Sequence, residues 1–292
     1  MTSHTIEHRL RYRPPLAMAA LTRFLGDRAI PGVESFDGVT FRRGVRAPDG
    51  RPAVIGVTTR PGRDEVMLRV TADDAENAST LVPTARRLFD LDADPTEIDS
   101  ALGADPALRP LVRATPGIRL PGATDGFELA VRAILGQQIS VRAARTFAGR
   151  IAAASGTPIE RPVNGITHLF PTAEQLAHTS LGSLGLTKAR SVTLQRLAEI
   201  AAAGELDLSE AGDRVATAER LLAVPGIGPW TVAYISMRAL GDPDAFPVGD
   251  LGVRLGFESL GLPSCPAAML EHAERWRPWR AYAVMHLWND GH

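Results

Sequence analysis

Asp250 is the residue in this chain best placed to do chemistry. It stands in Phe246-Pro247-Val248-Gly249-Asp250-Leu251-Gly252-Val253-Arg254, between a Gly/Pro loop that begins at Gly241 and a helix-forming run. A carboxylate fixed at a helix start can stabilise positive charge that develops in a transition state, and can orient or deprotonate a water. The helix dipole there favours negative charge. The plainer role for such a residue is an N-cap, worth about 1 kcal/mol. Asp242 and Asp244, in the same loop, read as turn residues.

Upstream lies Leu221-Leu222-Ala223-Val224-Pro225-Gly226-Ile227-Gly228-Pro229-Trp230-Thr231-Val232-Ala233-Tyr234. An apolar helix end, a tight Pro-Gly-x-Gly turn and a second helix opening at Pro229 describe a helix-hairpin-helix. Two glycines let the backbone turn sharply and leave amide groups uncovered at a helix N-terminus, which is where a phosphate binds. Pro225, Gly226, Ile227, Gly228 and Thr231 are thus candidates for a sequence-independent grip on a DNA backbone. An ordinary connection between two helices gives a similar string. Aromatic residues make up only 5% of the chain, yet three of its four tryptophans (Trp276, Trp279, Trp288) fall in the last segment and the fourth is Trp230. Electron-rich rings can stack on a cationic ring, and each taken alone also suits a packed core.

Other chemistries are narrowed by what is scarce. The one cysteine, Cys265, removes internal disulfides, Cys-rich zinc sites and four-cysteine iron–sulfur clusters; in Pro263-Ser264-Cys265-Pro266 it reads as a small buried hydrophobe rather than a nucleophile. The seven histidines are scattered, with no metal-ligand spacing. Lys188 is the only lysine, so a lysine imine has one candidate, far from the hairpin in sequence; the N-terminal amine is a remote second. Net charge is −1, against a strongly basic footprint. From Val131 to Ala198, however, Arg132, Arg142, Arg145, Arg150, Arg161, Lys188, Arg190 and Arg196 meet only Glu160 and Glu174, a stretch that suits a phosphate backbone or a set of solvated helix faces.

The elements that must position these residues divide in two. With 292 residues the chain is long enough for about two domains of about 150 residues. The first part reads as α+β: a helix from Leu16 to Leu25, strands Val39 to Val45, Ala53 to Thr59 and Glu65 to Val70, a hairpin turn at Pro48-Asp49-Gly50, and a helix from Ala75 to Phe89. Asp90 to Asp105 reads as an acidic connector, with a boundary near residue 92. From Pro121 the pattern is helical almost without interruption. Thr124 or Asp125 caps Phe127 to Leu135, Gly136-Gln137-Gln138 breaks it, and Ser140 caps Val141 to Ala154. Thr172 with Gln175 fits a capping box, and Thr187 to Ala203 ends at Gly204. No apolar run approaches the about 20 residues of a membrane span. Met1 to Leu10 lacks the apolar core of a signal peptide, so a cytoplasmic address is expected.

The hairpin, one helix, a Gly/Pro loop and then an aspartate resemble the helix-hairpin-helix DNA glycosylase superfamily. Arg11-Tyr12-Arg13-Pro14-Pro15, Leu88-Phe89-Asp90-Leu91, Pro116-Gly117-Ile118-Arg119-Leu120-Pro121-Gly122, Ala133-Ile134-Leu135-Gly136-Gln137 and Arg275-Trp276-Arg277-Pro278-Trp279-Arg280 narrow the resemblance to AlkA-type 3-methyladenine DNA glycosylase II, over nearly the whole chain. The fold it implies is an α+β N-terminal domain with an antiparallel sheet (1–92), then an all-α glycosylase core (93–292). That core has a middle subdomain about 124–244 with the hairpin, and a second from about 93–123 plus 245–292, facing each other across a cleft. The activity it implies is monofunctional: base flipping and hydrolytic release of alkylated purines from damaged double-stranded DNA, with Asp250 catalytic. Trp230, Tyr234 and Trp279 would line the base pocket, Phe24 would reach its edge, and Gln138 would fill the space the base leaves; Trp276 and Trp288 are assigned to packing. Lyase members carry a lysine where this chain has Trp230. No cofactor is required, a monovalent cation on the hairpin backbone is allowed for, and a monomer acting at the bacterial nucleoid is expected. The rivals are a non-enzymatic binder of DNA structure, a nuclease, and an alkyl-transfer protein working through Cys265.

Overall fold

A computed structural model of the chain describes residues 4–291, apart from the side chains of 75–77; Met1 to Ser3, the opening of the polar start, lie outside it. The N-terminal part is built on an antiparallel sheet of β1 (His4–Arg11), β2 (Glu34–Phe36), β3 (Thr40–Arg46), β4 (Pro52–Thr59) and β5 (Glu65–Ala72), in the order β1-β5-β4-β3-β2. β3 and β4 form the hairpin read from Pro48-Asp49-Gly50, with Gly50 at φ +84° and Ala47 N–H donating to Arg51 O at 2.9 Å. In β5 Val66, Leu68, Val70 and Ala72 are buried while Arg69 is exposed, the period-two pattern of a sheet with one covered face. β1 pairs with β5 along its length, Leu10 opposite Val66. Its polar sequence hides it: it is an edge strand whose only aliphatic residues are Ile6 and Leu10.

Three further departures from the sequence reading have local causes. The helix expected over 75–89 is two, Ala75–Thr80 and Val82–Leu88, because Pro83 cannot donate back along a continuous helix. The acidic stretch 90–105 is no mere connector. Asp94 accepts from Thr96 N and Glu97 N, Pro95 opens the helix Pro95–Gly103, and Ile98 and Leu102 are buried on one face. In the helical half, a two-stranded ribbon, Pro158–Val163 with Ile166–His168, interrupts the pattern at Asn164-Gly165; both residues have positive φ, the requirement of a tight hairpin. Elsewhere the caps hold. Asp125, rather than Thr124, caps Gly126–Gly136, Ser140 caps Val141–Ser155, both bonds of the Thr172/Gln175 box form, and Thr187 caps Lys188–Ala202.

Apolar side chains gather into two cores. One joins the sheet and the helix Met18–Asp27 to the segments 78–120 and to the C-terminal helices Leu251–Ser259, Pro266–Ala273 and Arg280–Asp290. The other is made by the middle helices, including Leu221, Val224, Ile227, Val232 and Ile235 of the hairpin. A buried ionic cluster ties the sheet to the middle helices. Arg43 donates to Glu34 at 2.9 Å and to Glu128 at 2.6 Å, and Arg132 donates to both carboxylates at 3.0–3.1 Å. Burial opposes the charge on Glu34, but Arg132 and Arg43 outweigh it and hold its carboxyl below the usual range. Two carboxylates and two guanidinium groups balance, which is the condition for burying any of them.

Asp90 gives a test of stability. It lies at φ +50°, and its Oδ2 accepts from Leu120 N and from the Tyr282 hydroxyl, both at 2.9 Å. Burial pushes its carboxyl up to about 6 from the ordinary 3.8. The folded chain therefore holds this proton more tightly than the unfolded chain, and stability falls as pH rises from about 4 to about 6. Asn tolerates a left-handed backbone, keeps an acceptor oxygen and has no charge to bury. Urea unfolding of Asp90→Asn should show a smaller loss of stability across that pH window than wild type; an identical profile would refute the assignment.

Candidate active site

The hairpin helices are Arg214–Leu222 and Pro229–Arg238. Between them Gly226 has φ +92°, and a Cβ there would lie 2.2 Å from Thr193 Oγ1, so only glycine serves. Gly228 caps the second helix without a side chain, and nothing lies within 4 Å of where its Cβ would be. Among the described residues the N–H groups of Gly226 and Gly228 make no backbone hydrogen bond, and those of Trp230 and Thr231 fall in a first helical turn, where none is supplied. The turn thus leaves uncapped N–H groups open at a helix N-terminus, an arrangement that suits an anion. Pro225 is exposed, whereas Ile227 and Thr231 are 6% and 2% exposed, so these two would meet a partner through backbone alone.

Asp250 caps Leu251–Ser259 and does more than cap. Oδ1 accepts from Val253 N at 3.0 Å and from Trp288 Nε1 at 2.8 Å, while Oδ2 accepts from Trp230 Nε1 at 2.9 Å. Oδ1 is thereby filled, and Oδ2 keeps one acceptor position. Trp288 packs against one core and Trp230 stands on the helix whose Val232 and Ile235 belong to the other, so the carboxylate sits where the two meet. The rings form a chain: Trp230 stacks on Tyr234 at 5.6 Å, Tyr234 meets Trp288 at 6.1 Å, and Trp288 stacks on Phe24 at 6.0 Å. The resulting apolar surface borders a fixed negative charge.

Trp279, expected in this set, is elsewhere. It precedes the helix Arg280–Asp290 whose far end carries Trp288, and packs edge-to-face on Tyr282 at 5.7 Å. Trp288, assigned to packing, is the residue that reaches the carboxylate. A signal for it was in the sequence: Gly252 and Gly256, one turn apart, form the face on which that helix lies. A Cβ on Gly252 would meet Trp288 Cδ1 at 2.7 Å, and one on Gly256 would meet Leu287 Cβ at 2.8 Å. Trp276 is core, donating to Asp105 and packed on Phe257.

Two arginines absent from the sequence reading border the rings. Arg28 Cζ lies 3.8 Å from the Phe24 centroid, and Arg238 Cζ lies 4.9 Å from Phe24 and 5.9 Å from Tyr234. Arg238 is buried without a carboxylate within 4.0 Å among the described residues; it donates to Pro121 O and, at 3.2 Å, to the Tyr234 hydroxyl. Burial, with Arg132 and Arg28 nearby, lowers its guanidinium to about 10. Ring faces supply part of the missing counter-charge.

Gln138 is exposed at φ +56° in the loop before Val141–Ser155. Beyond it an open groove is lined by Ser140, Arg142, Ala143, Thr146, Phe147 and Arg150, with Arg142, Thr146 and Arg150 on one helix stripe. Among the described residues Arg142, Arg145, Arg150, Arg161, Lys188 and Arg190 form no ion pair, whereas Arg132 and Arg196 do. Lys188 is exposed at the start of its helix and does not bond Asp250. Cys265 is exposed, not buried as expected, because it occupies the position before the short helix Pro266–Ala273. Among the described residues no group of three or more His, Cys, Asp or Glu could hold a metal, and no helix is long and apolar enough to cross a membrane.

Comparison with known proteins bears on this arrangement. A family model for the AlkA N-terminal domain matches residues 7–125, and one for the HhH-GPD superfamily base excision DNA repair protein matches residues 131–281. The chain belongs to the HhH-GPD superfamily. This HhH-GPD chain is 33% identical over 282 residues to DNA-3-methyladenine glycosylase 2 of Escherichia coli (strain K12), covering 96% of this chain and 95% of that protein. It is 45% identical over 284 residues to a probable bifunctional transcriptional activator/DNA repair enzyme AlkA of Mycobacterium tuberculosis, covering 97% of this chain but only 57% of the relative; the chain thus spans a little over half the length of that curated relative. A solved 3-methyladenine DNA glycosylase from Archaeoglobus fulgidus shares the fold, with a TM-score of 0.81 at 23% identity over 96% of this chain and 97% of that one. The HhH-GPD fold here is an α+β N-terminal part with an antiparallel sheet, followed by a helical core of two parts.

Gly252→Ala tests the role of the close approach. The added methyl must push Trp288 off Asp250, and overpacking of this kind costs about 1–3 kcal/mol. Urea unfolding should show that loss, and the indole N–H resonance of Trp288 should shift; an unmoved resonance would count against the hydrogen bond.

Proposed function

We propose that this chain is a monofunctional DNA glycosylase of base excision repair that flips alkylated purines, such as 3-methyladenine, out of duplex DNA and releases them hydrolytically. The observation that carries the proposal is the Asp250 carboxylate, held by three N–H donors at the junction of two cores beside a row of aromatic rings. A purine alkylated on a ring nitrogen carries positive charge, so its bond to the sugar is already weak. As that bond breaks, its electron pair leaves with the base and the sugar becomes cationic at C1′. The carboxylate stabilises this cation without having to move. The open position on Oδ2 orients a water, whose oxygen bonds to C1′ as its proton passes to that carboxylate oxygen. Trp230, Tyr234, Trp288 and Phe24 offer ring faces to the flipped base; Trp279 lies outside that set.

The names of the relatives support the substrate class, and the uncapped hairpin supports duplex DNA as the partner. Absence of strand cleavage is supported by Trp230 standing beside Asp250 and by the exposed, separate Lys188. We further propose a monomer that requires no cofactor, with the hairpin carbonyls able to take a monovalent cation, and a cytoplasmic place of action. Our division of the chain is 1–92, then 93–292, with a middle subdomain of about 124–244; a core drawn mostly from side chains between Ala123 and Ala239, with Ile30 and Val33, supports the latter. The observed cap bond from Val253 N keeps one alternative open, a non-enzymatic DNA-structure binder in which Asp250 only caps.

Free-base release from methylated duplex DNA separates the two. Wild type should release methylated purines and leave abasic sites without nicks. Asp250→Asn should bind as well but release bases on the order of a hundredfold more slowly. Binding without release by wild type would favour the binder; nicking would remove the monofunctional assignment. In the same assays Arg142→Gln and Arg150→Gln should each lower the slope of log affinity against log salt by about 1, and unchanged slopes would exclude the groove as a phosphate contact.

A further inference from the structure

Under that reading two loops face the duplex: the hairpin turn, 223–228, and the loop that carries Gln138. Surface loops keep a fixed spacing only where side chains tie them. Gln137 ties these. Its Nε2 has two hydrogens, and both cross the gap, one to Gly226 O at 3.0 Å and one to Thr231 Oγ1 at 2.8 Å. Its backbone carbonyl accepts from Arg190 Nη2 at 2.6 Å. One turn further along that helix, Thr193 Oγ1 donates to Pro225 O at 2.8 Å. Lys188–Ala202 therefore holds both loops from behind, through Arg190 and Thr193, while Gln137 holds them to each other. The hairpin turn has no room to slide, since even a methyl group on Gly226 would strike Thr193. Gln138, the next residue, is left exposed with a left-handed backbone at the edge of this clamped unit.

We propose that Gln137 is a positioning residue that locks the phosphate grip to the wedge loop, so that gripping the backbone and inserting Gln138 occur as one rigid act. The proposal rests on the glycosylase reading above. Unpairing and unstacking a base costs a few kcal/mol. A grip transmits that work to the base only if the wedge cannot recoil. A misplacement of about 1 Å costs about a hundredfold in rate where geometry is limiting. The amide is suited to the task because it gives two hydrogens to two acceptors in one plane, which neither a hydroxyl nor a carboxylate can do.

The test uses two duplexes with the same methylated purine, one opposite its normal partner and one opposite an abasic position, where no base pair has to break. Single-turnover release is measured for wild type and for Gln137→Glu, which keeps the shape but has no hydrogen for Gly226 O. Gln137→Ala is measured beside it, with the unfolding midpoint of each variant as a check on folding. Release from the paired duplex should fall at least about tenfold, and from the abasic-opposed duplex by less than about twofold. The salt slope of binding should not change. An equal loss on both duplexes, which a merely structural role would give, would overturn the proposal, as would no loss on the paired duplex. Wild type inert on both would overturn the glycosylase reading and this proposal with it, so the two failures are distinguishable.

Discussion

The structure turns on one carboxylate that is held from several sides at once. Asp250 receives a helix N-terminus on one oxygen and an indole N–H on each, and the helices that carry the indoles are anchored in separate hydrophobic cores. Neither core alone could build the site. The first provides the helix that Asp250 caps and the helix that carries Trp288; the second provides Trp230 and Tyr234 from the hairpin. Whatever sets the cores relative to each other therefore sets the geometry around Asp250.

What sets them is electrostatic as much as apolar. The Arg43, Glu34, Glu128 and Arg132 cluster fastens β2 and β3 to the helix Gly126–Gly136, and Arg132 also donates to Arg28 O at 2.7 Å, next to the guanidinium that covers Phe24. A buried cluster of this kind contributes little net stability compared with apolar packing. Its geometry is directional, however, and greasy contact is not. The same holds for Arg238, whose bonds to Pro121 and Gly122 pin the segment between the cores to the hairpin's second helix.

Much of this was legible in the sequence where local chemistry decides the outcome. Caps at Ser140, Thr172 and Thr187, the Pro48-Asp49-Gly50 turn, the Pro225-Gly226-Ile227-Gly228 hairpin and the position of Asp250 depend on neighbours in the chain. β1 was invisible because an edge strand needs few apolar residues. The helix at Pro95–Gly103 was masked by its acidic composition, although Asp94-Pro95 is a start signal. The tryptophans are a different case: Trp279, just before the last helix, and Trp288, near its end, have the same side chain, and only the partner helix, through Gly252 and Gly256, decides which one faces the carboxylate. Gln137 was passed over as part of a break between helices because its partners, Gly226 and Thr231, are distant in sequence.

The glycine face of Leu251–Ser259 has a bearing on how such a protein can change. Gly252 and Gly256 let Trp288 and Leu287 lie against the helix so closely that a larger residue at either position displaces its partner, and at Gly252 that partner is the indole on Asp250. Trp230, on the hairpin's second helix, carries a different restriction, since its indole N–H holds Asp250 Oδ2 at 2.9 Å. Change at the glycine face is thereby coupled: a larger residue at Gly252 has to be matched by a smaller one on the facing helix, so the two helices vary together rather than one at a time.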